Sequence, residues 1–206
     1  MEFYIRDNWP LAANFVKEMK ANSKTTVKKE IITMYKENSF LAKLVQYTYD
    51  PFKVYHITSK TCKTHDFCDP HNVHDSIFEL LDDLHNRVYT GHAAIAIVNS
   101  YMSGYPEHTD LIFSVIDRNL EVRASDGVFN AIVPGWIPTF KPALANVYQP
   151  KLVDIENETW YASRKLDGVR CLAIIDAAGK VELRSRQGQV FETLDKVVKD
   201  IEDLNL

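Results

Sequence analysis

The chain has 206 residues, of which 46% are hydrophobic and 25% are charged, and these proportions are typical of a folded globular protein. It contains no run of about 18 apolar residues, so the sequence predicts no membrane-spanning helix. The first ten residues, MEFYIRDNWP, lack the basic start and apolar core of a secretory signal. Three cysteines, an odd number, therefore favour reduced thiols in a cytoplasmic protein.

The net charge of −4 argues against a uniformly basic nucleic-acid binder, but the charge is unevenly distributed. The counts of basic and acidic residues are 10 and 6 over residues 1–60, 5 and 11 over 61–145, and 9 and 11 over 146–206. DNA affinity depends on a local basic surface rather than on the total charge. Lys24, Lys28, Lys29 and Lys36 lie in one predicted helix, and Lys28 and Lys29 are our candidates for contacts with DNA. The alternative is an ordinary solvated helix surface.

The first 120 residues carry the spacing of amphipathic helices. Pro10 precedes the first apolar stripe and suits the first turn of a helix. Asn38 and Ser39 separate the second and third stripes, as a helix break and N-cap do. A polar connector is predicted up to about Asn72. Further helices are predicted over residues 77–84, 91–102 and 111–120.

The pattern changes after Pro134, where four prolines within 17 residues predict an extended connection. We place the domain boundary near residue 145, so that residues 1–145 form a helical domain and residues 146–206 a second domain. In the second domain the segments TWYASRKLDG, VRCLAIID and KVELRSR predict strands, and Ala178–Gly179 predicts a hairpin turn. An amphipathic helix is predicted over Glu192–Leu204. The expected fold class is therefore α+β.

The most specific chemical pattern is KxDGxR, in the segment Lys165-Leu166-Asp167-Gly168-Val169-Arg170. A lysine amine attacks phosphorus well only when it is deprotonated, so its pKa must be lowered by burial and neighbouring positive charge. A lysine at the junction of a strand and a turn would have its amine fixed beside the nucleotide pocket. Gly168 is expected to permit the turn. Arg170 is expected to begin the returning strand. The pattern resembles that of DNA ligases, RNA ligases and capping enzymes, although KxDG alone also occurs by chance in hairpins.

Two further elements accompany this motif. Ser185-Arg186-Gln187-Gly188 begins fifteen residues after Arg170, and residues 138–145 are PTFKPALA. They resemble the SRxG element and the PxxxPMLA entry segment of ATP-dependent DNA ligases, with Ala143 in place of methionine. Three elements in the expected order argue against a chance hairpin.

Three segments of the helical part resemble the N-terminal DNA-binding domain of T-even-type bacteriophage ligases: residues 90–95, 117–121 and 133–138. The resemblance implies that Lys165 forms a lysine–AMP bond with ATP, that Arg170 contacts the nucleotide's ribose, and that Arg186 lies near the ribose and the nick's 5′-phosphate. Arg186 is thus a candidate for both nucleotide and DNA binding. The helical domain would contact the DNA backbone along the minor groove. Residues 146–206 would begin an adenylation domain of nucleotidyltransferase, ATP-grasp-like fold.

The chain departs from the family pattern at two points. Ser163 stands where many members carry glutamate, and the main chain of Arg164 is then the alternative contact for adenine. The later motifs, including KxK, the metal-binding glutamate and the OB-fold domain, are absent from these 206 residues. The resemblance therefore implies a truncated form, a partial reading frame or one part of a split enzyme. Such a chain is expected to be inactive alone. Together with a second polypeptide that supplies the rest of the adenylation domain and the OB-fold domain, it is expected to use ATP and Mg²⁺ and to act on nicked duplex DNA.

A Cys/His series raises the alternative of a zinc site: Cys62, His65, Cys68, His71 and His74. The series lacks the tight CxxC of a zinc knuckle, and its aspartates and proline favour a polar loop, so no metal is predicted. Three functions remain open: a DNA ligase polypeptide, a non-catalytic duplex-DNA-binding module, and an RNA ligase or capping-type enzyme. The helical domain and the SRxG element favour the first.

Overall fold

The chain divides into two compact units, Met1–Thr139 and Phe140–Leu206, which are described separately. The computed structural model describes residues 7–69, 74–140, 147, 149, 154, 156–161, 164, 167–186 and 188–204. The first unit is helical. Its described helices are α1 (Trp9–Ala21), α2 (Thr25–Tyr35), α3 (Ser39–Tyr49), α4 (Ser59–Lys63), α5 (Ile77–His85), α6 (Gly91–Ser103), α7 (Thr109–Ile116) and α8 (Asp126–Asn130), with a 3₁₀ helix at Pro106–His108.

Two asparagine side chains fix where helices of the first unit begin. Asn8 accepts a hydrogen bond from the backbone N–H of Leu11 at 3.2 Å, and Pro10 lies in the first turn of α1. Asn38 accepts from the N–H of Leu41 at 3.0 Å at the start of α3. Each such cap stabilises its helix by about 1 kcal/mol. The predictions for Pro10 and for the break at Asn38 are confirmed.

The core of the first unit is organised around Trp9, whose side chain is 1% exposed. Its ring meets Phe40 edge-on, with 5.7 Å between ring centroids, and its Nε1 donates a hydrogen bond to the Tyr101 hydroxyl at 3.0 Å. That hydroxyl donates to Asp7, which also accepts from the N–H of Ile77 at 2.9 Å. Asp7 therefore ties the start of the chain to both α5 and α6.

Some predicted bounds in the first unit are wrong. The helix predicted over residues 111–120 ends at Ile116, because Arg118 adopts a left-handed φ of 59°. The N–H of Asn119 then bonds the Ser114 carbonyl at 2.8 Å, which closes the helix end. Helices α4 and α8 have five residues each and were not predicted, since so short a helix shows no full apolar period.

An antiparallel hairpin and a helix form the described elements of the second unit. Strands β1 (Cys171–Ile175) and β2 (Val181–Ser185) pair with Cys171 opposite Ser185 and Ile175 opposite Val181. Gly179 has φ 81° in the connecting turn, as the predicted hairpin requires. Val181 and Leu183 on β2 are 5% and 2% exposed, and β2 contacts helix α9 (Asp195–Glu202).

The class is α+β, as predicted, and two details of the second unit differ. None of the described residues within 159–168 belongs to a strand, and the rest of that predicted strand lies outside the described residues. Helix α9 begins three residues after the predicted start at Glu192, because Leu194 still has a non-helical backbone. In the part of the chain that the structure describes, no helix has the length and apolar character needed to cross a membrane.

Candidate active site

The SRxG element forms a tight turn at the end of β2. The N–H of Gly188 donates to the Ser185 carbonyl at 2.9 Å, and the N–H of Ser185 donates to the Gln189 carbonyl at 2.7 Å. The Ser185 hydroxyl also accepts from the N–H of Gln189 at 3.1 Å. Gly188 has φ 88°, a conformation that disfavours any side chain. This turn leaves the Arg186 side chain exposed.

The hairpin register brings the two ligase-like motifs to one end of the sheet. Cys171 pairs with Ser185, so Arg170 and Arg186 are the next residue beyond the paired ladder on each strand. Residues directly opposite one another share a face in an antiparallel pair. Both arginine side chains are exposed. The register therefore puts two exposed arginines at the same end of the hairpin, and arginine side chains are suited to phosphate groups.

The KxDGxR motif is only partly described. Lys165 and Ser163 lie outside the described residues, whereas Arg164 is exposed and irregular in backbone, as is Gly168. A Cβ at Gly168 would meet open space, and its φ lies outside the left-handed range. The expectation that Gly168 permits a tight turn stays a prediction. Lys165 stays a prediction.

Sequence reasoning missed Arg184, which supports the SRxG turn from inside the hairpin. Its Nε donates to the carboxylate of Glu182, and its Nη1 donates to the Gly188 carbonyl at 2.9 Å. A β-bridge joins Arg184 to Val190 beyond the turn. Alternation along β2 assigns Arg184 and Arg186 to the same face, so the sequence pattern alone could not separate their roles. The structure separates them, because Arg184 is half-buried and bonded to the Gly188 carbonyl whereas Arg186 is exposed.

The two lysines chosen as DNA contacts have different surroundings. Lys28 is only 3% exposed, and its ammonium donates to the carbonyls of Val122 at 2.6 Å and Arg123 at 2.9 Å. We correct that choice, because an ammonium held inside by two carbonyls is not available to a phosphate. Lys29 is half-buried on the same helix and stays a prediction.

The described members of the Cys/His series make separate contacts. Cys62 is buried, and burial raises the pKa of its thiol to about 11. Cys68 lies 3.1 Å from the Ser100 hydroxyl, and His74 Nε2 lies 2.8 Å from Asp83. No group of three His, Cys, Asp or Glu side chains suited to a metal occurs among the described residues. His71 lies outside them.

Sequence comparison relates the chain to two phage proteins. It is 32% identical over 123 residues to the DNA ligase of Enterobacteria phage T4 and, equally, to that of phage T6. The chain is homologous to phage DNA ligases. The match covers 57% of this chain but only 25% of each phage ligase. No family model matches the chain.

Solved structures extend the similarity in fold to nearly the whole chain. The structures named Pmar-Lig_PreS3 and Pmar-Lig_Pre each match with a TM-score of 0.65 and 24% identity. Each match covers 93% of this chain and 45% of the solved chain. At this identity the match shows the fold, and the chain spans less than half the length of those proteins. Neither comparison supports the second polypeptide that the sequence analysis expected.

Proposed function

We propose that this chain is a polypeptide of an ATP-dependent DNA ligase, with Lys165 as the residue that becomes adenylated. The observation that carries the proposal is the hairpin register, in which Arg170 of KxDGxR and Arg186 of SRxG adjoin the terminal pair Cys171–Ser185 at the same end of the sheet. The homology to phage DNA ligases supports the same assignment. A binding module without catalysis has no evident use for the KxDGxR and SRxG motifs.

The chemistry assigned to Lys165 is nucleophilic transfer of AMP. The neutral Nζ attacks the α-phosphorus of ATP, forming a P–N bond while the bond to the pyrophosphate oxygen breaks; the amine proton leaves to solvent. AMP then passes to the 5′-phosphate of a nick, and attack by the 3′-hydroxyl seals the strand and releases AMP. Arg170 is proposed to contact the ribose of the nucleotide, and the main chain of Arg164 to contact adenine. Arg186 is proposed to lie near the ribose and the 5′-phosphate of the nick, where its positive charge would stabilise negative charge that develops on the phosphate.

Magnesium and DNA complete the proposal. Mg²⁺, when bound with the triphosphate, neutralises charge on the leaving pyrophosphate; we assign it no protein ligands, because the described residues contain no suitable group of three. The helical unit is proposed to bind the phosphate backbone of nicked duplex DNA without reading sequence. The proposed place of action is the cytoplasm of a host cell.

Adenylation of the chain tests the assignment of Lys165. The protein is incubated with α-labelled ATP and Mg²⁺, with and without a polypeptide that supplies the later ligase motifs. We expect label that stays on the denatured protein in at least one condition, and its loss in Lys165→Ala, because no other residue occupies the motif's nucleophile position. Lys180→Ala, an exposed lysine of the hairpin turn, is the control and should keep its label. Label retained by Lys165→Ala, or label in neither condition, contradicts the proposal.

A further inference from the structure

The backbone between Arg118 and Arg123, called the 118–123 loop, is unusual. Arg118, Glu121 and Arg123 have φ values of 59°, 56° and 51°, in the left-handed region that residues with side chains rarely occupy. Between them Leu120 and Val122 are fully buried. Such a conformation persists only where the surrounding structure holds it, and it concentrates at functional sites.

Lys28 helps to stabilise the conformation of the 118–123 loop. Its buried ammonium donates to the carbonyls of Val122 and Arg123, 94 and 95 residues away along the chain. Both acceptors are neutral, and Lys28 has no part in the ion pairs found among the described residues. Among the described residues no carboxylate contacts this ammonium, so its role is to hold the two carbonyls of the 118–123 loop.

Two solvent-facing cations flank Lys28. Lys24 is the N-cap residue of α2, and its carbonyl accepts a hydrogen bond from the N–H of Lys28 at 3.1 Å. Arg123 is the residue whose carbonyl accepts from the Lys28 ammonium. Both side chains are exposed and neither makes an ion pair with the residues that the structure describes. Glu121 is instead neutralised by Lys20, with 3.0 Å between Nζ and Oε2.

We propose that Lys24 and Arg123 form a cationic ridge that contacts phosphates of duplex DNA, and that Lys28 is the positioning residue that fixes this ridge. The inference rests on the proposed function for its choice of DNA as partner. Asp126, which begins α8, is the next carboxylate along the chain, so the three exposed cations Lys20, Lys24 and Arg123 stand against the two carboxylates Glu121 and Asp126. A loop already held in place loses less entropy on binding, and arginine's planar donors suit a phosphate.

Binding of duplex DNA by single variants tests the ridge. Fluorescence anisotropy with a nicked duplex is measured at several salt concentrations for wild type, Arg123→Gln and Lys24→Gln. Each variant should bind about 3- to 10-fold more weakly at moderate salt, and its salt slope should fall by about 0.9, the value for one lost phosphate contact. Lys60→Gln, an exposed lysine of α4, is the matched control and should stay within about twofold of wild type.

A change of opposite sign sharpens the test. Glu121→Gln removes the carboxylate that neutralises Lys20, so the affinity for the same duplex should rise by about twofold. Affinities of Arg123→Gln and Lys24→Gln equal to that of Lys60→Gln overturn the ridge.

The positioning role of Lys28 requires a readout that folding alone does not change. If Lys28 acts through Arg123, Lys28→Met weakens binding in the wild-type background but has little further effect in Arg123→Gln. Independent, multiplicative losses in the double variant overturn the positioning role, and a thermal melt of each variant confirms that it is folded. If Lys28→Met does not fold, the single variants at the two exposed positions still decide the ridge.

Failure of this inference is distinguishable from failure of the proposed function. If wild type binds duplex DNA and both ridge variants bind it equally well, the ridge proposal is rejected and the ligase assignment is unaffected. Absence of wild-type binding at low salt, together with absence of adenylation on Lys165, removes the function on which the ridge rests.

Discussion

Asp7 is a carboxylate that the helical unit draws into its interior. It accepts hydrogen bonds from the Tyr101 hydroxyl, from the N–H of Ile77 at 2.9 Å and from the Ser76 hydroxyl at 3.2 Å. Burial raises the pKa of Asp7 above its ordinary value and outweighs these hydrogen bonds, which lower it. A raised pKa in the folded state means that folding favours the protonated acid. Its contribution to stability is therefore complete below the ordinary pKa and is lost as pH rises through the folded pKa.

This sign makes Asp7→Asn a test of pH dependence. As pH falls from 7 towards 4, the free energy of unfolding of wild type should improve relative to Asp7→Asn, because only the wild type gains a proton at this site. Urea denaturation at several pH values measures the difference. Glu37→Gln, at a side chain 87% exposed, is the control. If the free energy of unfolding of wild type, relative to Asp7→Asn, stays constant or falls on acidification, burial is not the dominant influence on the pKa of Asp7.

At the scale of elements, the β1–β2 hairpin depends on its turn. The Asp176 side chain accepts from the N–H groups of Ala178 at 2.8 Å and Lys180 at 2.9 Å, and Gly179 occupies a left-handed φ of 81°. The turn sets which residues face each other along the strands. It therefore also sets the pairing of Cys171 with Ser185, the residues next to Arg170 and Arg186.

Gly179→Ala should loosen this hairpin. A Cβ at Gly179 would meet nothing within 4 Å, so the expected cost is conformational, about 1–2 kcal/mol. Amide hydrogen exchange of the β1 and β2 residues measures the loss of protection. Gly127→Ala in α8, where the new Cβ would lie 3.6 Å from the Ser125 hydroxyl and φ is not left-handed, should leave hairpin exchange unchanged. Unchanged exchange in Gly179→Ala is the result that contradicts this account.

The sequence could predict the features that depend on near neighbours. Asn38 caps a helix through a residue three positions away, and a two-strand pattern around Gly179 is enough to deduce the strand register. The two carbonyls that hold Lys28 are 94 and 95 residues distant, and no local pattern predicts them. Its burial did have a local signal, because Lys28 stands three and four residues before the buried Ile31 and Ile32, a helical spacing that could have distinguished it from Lys29. The chemistry of Lys165 rests on its motif and stays a prediction.

At the scale of the whole molecule, charge limits how the chain can meet DNA. The total is −4, and residues 61–145 carry 5 basic against 11 acidic residues. Within the first unit, acidic side chains therefore outnumber basic ones over much of the sequence. Phosphates are attracted to a restricted basic area and repelled elsewhere, which limits both the number of contacts and the strength of binding.

Duplex binding by the 206-residue chain should accordingly be weak, independent of sequence and strongly dependent on salt. Contacts to phosphate and sugar carry no base information, and a small set of them gives dissociation constants in the nonspecific range, about 10⁻⁴ to 10⁻⁶ M at physiological salt. Anisotropy titrations with two unrelated nicked duplexes, each at two salt concentrations, measure all three properties. Because each released counterion contributes to the salt slope, raising the salt should weaken both complexes equally. Nanomolar binding that ignores salt, or a clear preference for one duplex, would show an interface that reads bases rather than backbone.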